Sequence, residues 1–171
     1  MASELKSLSD IDLSKLPEAT GWKFTLVVSS YHNDITFPLR DGAVEMLKAK
    51  GVSENDIRTE FVPGTYELTS AAQMVAESSN SDAIICLGCV IKGQTDHDKY
   101  INHTVAQGLT KVGLEYRLPV IFGVLTPNTH EQATDRAGGK HGNKGHEAAA
   151  AALEMVAMRK RLLGQKQKAG F

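Results

Sequence analysis

The chain has 171 residues, 42% hydrophobic and 23% charged: an ordinary globular composition, with room for one domain and a substantial core. A formal charge of −1 gives no electrostatic reason to expect nucleic acid, and no apolar run approaches the ~18 residues of a membrane span. The first twenty residues, MASELKSLSDIDLSKLPEAT, lack the charged-then-apolar pattern of a secretion signal, so the cytoplasm is the expected compartment.

Residues 1–20 are polar, with Leu and Ile only at wide intervals, and read as an arm outside the core; 21–171 read as one domain. KFTLVVSS (23–30) is the first β-rich run. NDITFPLRDGAVEMLKAKG follows, with Ile35, Leu39, Ala43, Met46 and Leu47 at helical spacing. That helix is expected to start near Asp34 to Phe37, because Pro38 is tolerated only in a first turn, and to stop at Gly51. The pattern recurs as IRTEFV (57–62), a Pro63-Gly64 turn, and a helix over TYELTSAAQMVAESS (65–79). DAIICLGCV (82–90) is the third strand, followed by a helix through about Arg117, and PVIFGVLT (119–126) is the fourth. Two helical stretches, HEQATDRA and EAAAAALEMVAMRKRLL, flank the glycine-rich GGKHGNKG. The basic cluster MRKRLLGQKQK suits the last turns of a helix, where the dipole favours cations.

Strands alternating with helices predict an α/β three-layer sandwich: a four-stranded parallel sheet with helices on both faces, flavodoxin-like in architecture. The strands do not alternate cleanly, which agrees with burial on both sides. Cys86 and Cys89 are three apart on a strand, so they point to opposite faces about 10 Å apart and read as core residues, not as a metal pair or disulfide. His32, His103, His130, His141 and His146 form no HxH or HxxxH pair, so no metal is expected. In open parallel sheets ligands bind outside the carboxyl ends of the strands. Those ends are here 31–33, 63–67, 90–97 and 122–126.

The third of them, VIKGQTDHDKYINH, turns from a greasy strand into Lys92, Gln94, Thr95 and His97 within a few residues. Gly93 frees the backbone, and the amides of Gln94 and Thr95 near a helix start make a phosphate site or, equally, an ordinary cap. His97 reads as a proton carrier beside that site or as a loop histidine. Glu67, three residues after Gly64, closes a helix cap or binds a ligand. Tyr31 could stack on a flat ring or cover the core. Arg136, Lys140 and Lys144 surround RAGGKHGNKG, a basic loop that suits an anion but follows no strand end, and so could serve a neighbouring subunit.

VPGTYEL, GCVIKGQTDHDKYI, VIFGVLT and RAGGKHGNKGHEAA, in this order and spacing, resemble the lumazine synthase (6,7-dimethyl-8-ribityllumazine synthase) family over about residues 21–165. The resemblance implies a cofactor-free transferase of riboflavin biosynthesis, condensing 5-amino-6-ribitylaminouracil with 3,4-dihydroxy-2-butanone 4-phosphate and releasing phosphate and water. Carried onto this chain, it makes Tyr31 the aromatic that stacks on the pyrimidine. Gly64, Thr65 and Glu67 would hold the ribityl chain, and the backbone of Val90, Ile91 and Lys92 would read the ring edge. Gln94, Thr95 and Arg136 would bind phosphate, with His97 the proton carrier. Phe122, Arg136 and Lys144 would reach the site from the adjacent subunit. It further implies a homopentamer, twelve of which can close into an icosahedral 60-subunit capsid, and riboflavin synthase as a candidate partner. RAGGKHGNKG carries no insertion of the kind that disfavours closure.

Two departures stand out. The family pattern has Phe or Trp followed by Asn where this chain has Tyr31-His32, and an aromatic then an acid where it has Asp98-Lys99. Other classes predict different features. An FMN-binding carrier keeps its phosphate loop directly after the first strand, where this chain has Tyr31-His32-Asn33. A shell-forming or flavin-storage protein needs the assembly surfaces but not His97.

Overall fold

The computed structural model describes residues 11–78 and 80–168. Four parallel strands, β1 (Phe24–Ser29), β2 (Ile57–Val62), β3 (Ala83–Cys89) and β4 (Val120–Leu125), form one sheet in the order β2-β1-β3-β4. Phe24 pairs with Ile57 on one side and Ala83 on the other, and Ile84 pairs with Val120. Helices α1 (Asn33–Ala49) and α5 (Lys144–Lys168) cover one face, and α2 (Leu68–Ser78) and α3 (His97–Glu115) the other. The short α4 (His130–Thr134) follows β4. This is the expected flavodoxin-like sandwich. Among the described residues no helix is long and apolar enough to cross a membrane.

The central strands explain the lack of alternation, because every residue of β1 and β3 is buried. Leu26, Val28, Ile85 and Leu87 pack toward α1 and α5, while Val27, Ile84 and Cys86 pack toward α2 and α3. The outer strands differ: β2 has one buried residue, Val62, and the first half of β4 runs from half-buried Val120 and Ile121 to exposed Phe122. Burial on both sides therefore holds for the centre of the sheet only. Cys86 and Cys89 are free and buried on opposite faces. Burial pushes both thiols up to about 12, with the charge of Asp34 adding to the effect at Cys89.

Three expectations change. Helix α1 starts at Asn33, so Pro38 is its sixth residue and lies beyond the first turn. Its missing amide removes one helical hydrogen bond, and its carbonyl accepts from Asn143 Nδ2 at 2.8 Å. Second, the GGKHGNKG loop is regular: it folds as an antiparallel hairpin of β5 (Ala137–Gly139) and β6 (Gly142–Asn143), and α4 ends before Asp135. The hairpin is docked by the contact of α1 with α5. There a Cβ on Gly145 would sit 1.8 Å from the Leu39 carbonyl, and one on Gly42 2.6 Å from the Asn143 side chain.

The third concerns the arm. Residues 1–10 lie outside the described residues, but Leu16 and Ala19 are buried members of the α1/α5 core. Lys50, itself buried, holds this segment: its Nζ donates to Glu18 at 2.6 Å and to the Leu13 carbonyl at 3.2 Å. The Ala19 amide donates to the Lys50 carbonyl at 2.8 Å. A buried ammonium is tolerated because it is paired and hydrogen-bonded.

Candidate active site

Three strand ends and the start of α3 enclose a cleft of about 490 Å³ on the carboxyl rim of the sheet. The β1–β2 ladder continues into the rim, with Ser30 donating to the Val62 carbonyl at 2.7 Å and Tyr31 to the Pro63 carbonyl at 2.9 Å. Thr36 Oγ1 donates to the Ser29 carbonyl at 2.6 Å, tying the start of α1 to the end of β1. Tyr31 is thus fixed at its backbone while its ring stands 67% exposed over the cleft.

Opposite it, Gly64–Glu67 form a 3-10 turn leading into α2. The Gly64 amide donates to Glu67 Oε2 at 2.9 Å, so Glu67 is a cap as well as a wall of the cleft. Thr65 is buried and its hydroxyl donates to the Cys89 carbonyl at 3.3 Å, pinning the turn to the end of β3. Val90 and Ile91 line the cleft floor. The Val90 and Lys92 amides donate to the Leu125 and Pro127 carbonyls at 2.9 and 3.0 Å, so the backbone N–H left for a ligand on this stretch is that of Ile91.

Helix α3 starts at His97, with Asp96 as an N-cap whose side chain makes no capping bond. The first amides of a helix lack intrahelical partners, which here leaves those of His97 and Asp98 at the cleft. Gly93, Thr95 and His97 line it; Lys92 and Gln94 are exposed beside it and do not. Asp98 also lines the cleft, and its Oδ1 is buried without a hydrogen-bond partner.

The other expected residues lie elsewhere on the chain. Arg136 and Lys144 line a second cavity, of about 600 Å³, between the end of β4, α4 and the hairpin. Arg136 Nη1 donates to the Gln132 carbonyl at 3.3 Å, and Lys144 is paired with Glu147. The Lys144 amide donates to the Arg136 carbonyl at 2.8 Å, which closes the base of the hairpin. Phe122 is 43% exposed on the edge strand β4. The structure brings together Tyr31, Gly64, Thr65, Glu67, Val90, Ile91, Thr95 and His97; it does not bring Phe122, Arg136 or Lys144 to them within one chain.

Sequence reasoning missed His32, Tyr66 and Ile101 as walls of the cleft, and Gln132 and His141 as walls of the second cavity. His32 and Tyr66 flank residues already singled out. Gln132 and His141 carry no local signal, since only the hairpin turns His141 toward Arg136.

Fold and rim define an α/β protein with a cleft at the carboxyl ends of the strands, and comparison with known proteins gives its family. A profile of 6,7-dimethyl-8-ribityllumazine synthase matches residues 21–160. The chain is 48% identical over 157 residues to the 6,7-dimethyl-8-ribityllumazine synthase of Cytophaga hutchinsonii, covering 92% of this chain and 98% of that protein. It is 45% identical over 158 residues to the synthase of that name from Porphyromonas gingivalis, covering 92% and 98%. For Phocaeicola vulgatus the figures are 41% over 162 residues, covering 95% and 96%. The chain belongs to the 6,7-dimethyl-8-ribityllumazine synthase family.

Proposed function

We propose that the carboxyl-rim cleft condenses 5-amino-6-ribitylaminouracil with 3,4-dihydroxy-2-butanone 4-phosphate to 6,7-dimethyl-8-ribityllumazine, releasing phosphate and water, in the cytoplasm. One observation carries the reading: Tyr31, the Gly64–Glu67 turn, Ile91 and His97 converge on a single cavity at the rim. Tyr31 stacks on the pyrimidine, and Gly64, Thr65 and Glu67 hold the ribityl chain. The Ile91 amide, with the carbonyls of Val90 and Lys92, reads the ring edge. The phosphate lies against Gln94, Thr95 and the start of α3, where unpaired amides and the helix dipole favour an anion.

The substrate amine is itself the nucleophile. It attacks the ketone to give an imine, phosphate leaves by β-elimination, and the ring closes. Each step moves protons, and His97 is placed to carry them. The largest contribution is holding two substrates in contact.

Arg136, Lys144 and Phe122 complete the site from a second subunit. They lie toward the β4 edge, while the cleft lies over β2, β1 and β3, so a head-to-tail ring would set one against the other. Apolar surface at both edges supports such a ring: Phe61, Tyr66 and Met74 are exposed on the β2 and α2 side, and Leu114, Met155 and Met158 on the β4 side. The ring is a pentamer of about 93 kDa, from 18.5 kDa per chain, and twelve close into a shell of about 1.1 MDa that offers riboflavin synthase an enclosed site.

Mixing the purified chain with both substrates and following lumazine absorbance and fluorescence tests the reaction; no lumazine with intact, folded protein overturns it. Light scattering tests the assembly. An active species of one or two chains overturns the shared site, and a stable particle near 93 kDa overturns only the shell.

A further inference from the structure

We propose that His32 is a positioning residue that holds the Tyr31 ring as a ready-made platform for the pyrimidine; the inference rests on the reading of the cleft as the aminouracil site. The backbone gives the first reason. His32 has φ 56° and ψ 48°, a left-handed conformation that side chains other than Gly and Asn seldom adopt. Among the described residues only Arg117 is another non-glycine with positive φ, and it follows the end of α3, where such a conformation is ordinary. His32 instead occupies the N-cap of α1, where residues are normally extended and lend a side-chain oxygen to the first amides. It does neither: its side chain makes no capping bond, and its carbonyl alone takes the amides of Ile35 and Thr36, both at 2.9 Å.

The ring gives the second reason. In extended chain, neighbouring side chains point to opposite sides. The left-handed turn swings the imidazole back, and its centroid lies 4.5 Å from that of Tyr31 with the planes at 61°. Tyr31 is 67% exposed, and no other aromatic ring among the described residues packs on it. Its backbone is fixed by Pro63 and by Ser29 Oγ, which donates to its carbonyl at 3.2 Å. The imidazole therefore limits where the phenol ring can turn on that side. A platform already in place spares the ligand the cost of ordering it. Edge-to-face pairs of this kind correspond to a factor of about two to ten in an equilibrium.

The test is equilibrium binding of 5-amino-6-ribitylaminouracil alone, by calorimetry, together with steady-state kinetics, on His32→Gly, His32→Phe and His32→Asn. His32→Gly suits the left-handed backbone, so its thermal midpoint should equal or exceed that of the starting protein. It should weaken aminouracil binding about threefold to tenfold and raise KM for the aminouracil in step. At saturation kcat should be unchanged, and KM for the butanone phosphate should move by less than about twofold. His32→Phe should restore binding, because it returns a ring. Should His32→Phe prove unstable at this backbone, His32→Gly decides alone. Unaltered binding by His32→Gly overturns the inference. So does rescue by His32→Asn, which would assign a polar contact with the ligand, or failure of a folded His32→Phe to rescue. A starting protein that neither binds the aminouracil nor forms lumazine would instead overturn the reading of the cleft.

Discussion

The two cavities of the carboxyl rim are built on different principles. The cleft over β2, β1 and β3 is made from strand ends, and its polar atoms are largely spent on holding itself together. Thr65 is bonded to Cys89, Gly64 to Glu67, Val90 to the last residue of β4, and Lys92 to Pro127 just after it. Those bonds leave a ring, a few amides and a histidine to face a ligand. The cavity beside β4 is made from a short helix and a hairpin, and it carries the cations Arg136 and Lys144. Shape and orientation reside in one, cationic charge in the other. Two substrates, one a flat heterocycle and one a small phosphate ester, need both, which is why a single chain is half an active site on the proposed reading.

Variants on the two sides should separate these roles. Arg136→Ala, on the charged side, should raise KM for the butanone phosphate about tenfold to a hundredfold, as expected for loss of a charge-assisted pair, and move the aminouracil KM much less. Equal effects on both KM values would show a structural fault instead. On the other side His97→Ala should lower kcat by about tenfold to a hundredfold, at or below the low end of general acid–base effects, with positioning intact; an unchanged kcat at neutral pH would remove its role. The comparison sharpens when the two variants are co-expressed in one assembly. If each site takes its cleft from one chain and its cations from the next, random mixing makes about one quarter of the sites intact in both halves. Activity at low substrate should then return to about a quarter of the starting value. Mixed assemblies no more active than the average of the two variants would show that each site belongs to one chain.

Smaller effects probe how the cavities are held. Gly145→Ala places a methyl against the Leu39 carbonyl at the base of the hairpin. It should cost about 1–3 kcal/mol, lowering the thermal midpoint by ~2–4 °C per kcal/mol, and should disturb the butanone phosphate KM before the aminouracil KM. Calorimetry and kinetics on the same sample would show whether the two changes travel together. Glu67→Gln should be the mildest: glutamine can still accept from the Gly64 amide, so stability should hold. Any rise in the aminouracil KM, within about threefold, then measures the carboxylate's charge apart from its cap.

What could be read from the sequence follows the same division. FTLVVS and AIICLGC are continuous apolar runs because both faces of the central strands are covered, so β1 and β3 were legible to within a residue. The cleft was legible too, since parallel strand ends are where such sheets place ligands and the residues there are local in sequence. Leu16 and Ala19 were not, because two apolar residues in a polar stretch have no period, and their burial depends on Lys50, more than thirty residues away. Nor was the hairpin: GGKHGNKG reads as breakers, and its order comes from Asn143 reaching the Pro38 carbonyl and from Gly145 meeting Leu39. The orientation of His32 was equally hidden, because a sequence does not announce a left-handed residue other than glycine.

The sheet's two cysteines have a practical consequence. The chain has only these two, and both thiols are buried and raised to about 12, so neither offers the thiolate with which alkylating dyes react. To such a dye the folded chain behaves as though it had no cysteine. A single cysteine placed at exposed Glu131 beside the charged cavity, or at exposed Lys99 beside the cleft, would take one fluorophore per chain without background from the core. Donor and acceptor chains labelled at those two positions, combined in one assembly, would make the distance between one subunit's cleft and its neighbour's hairpin a quantity read from light.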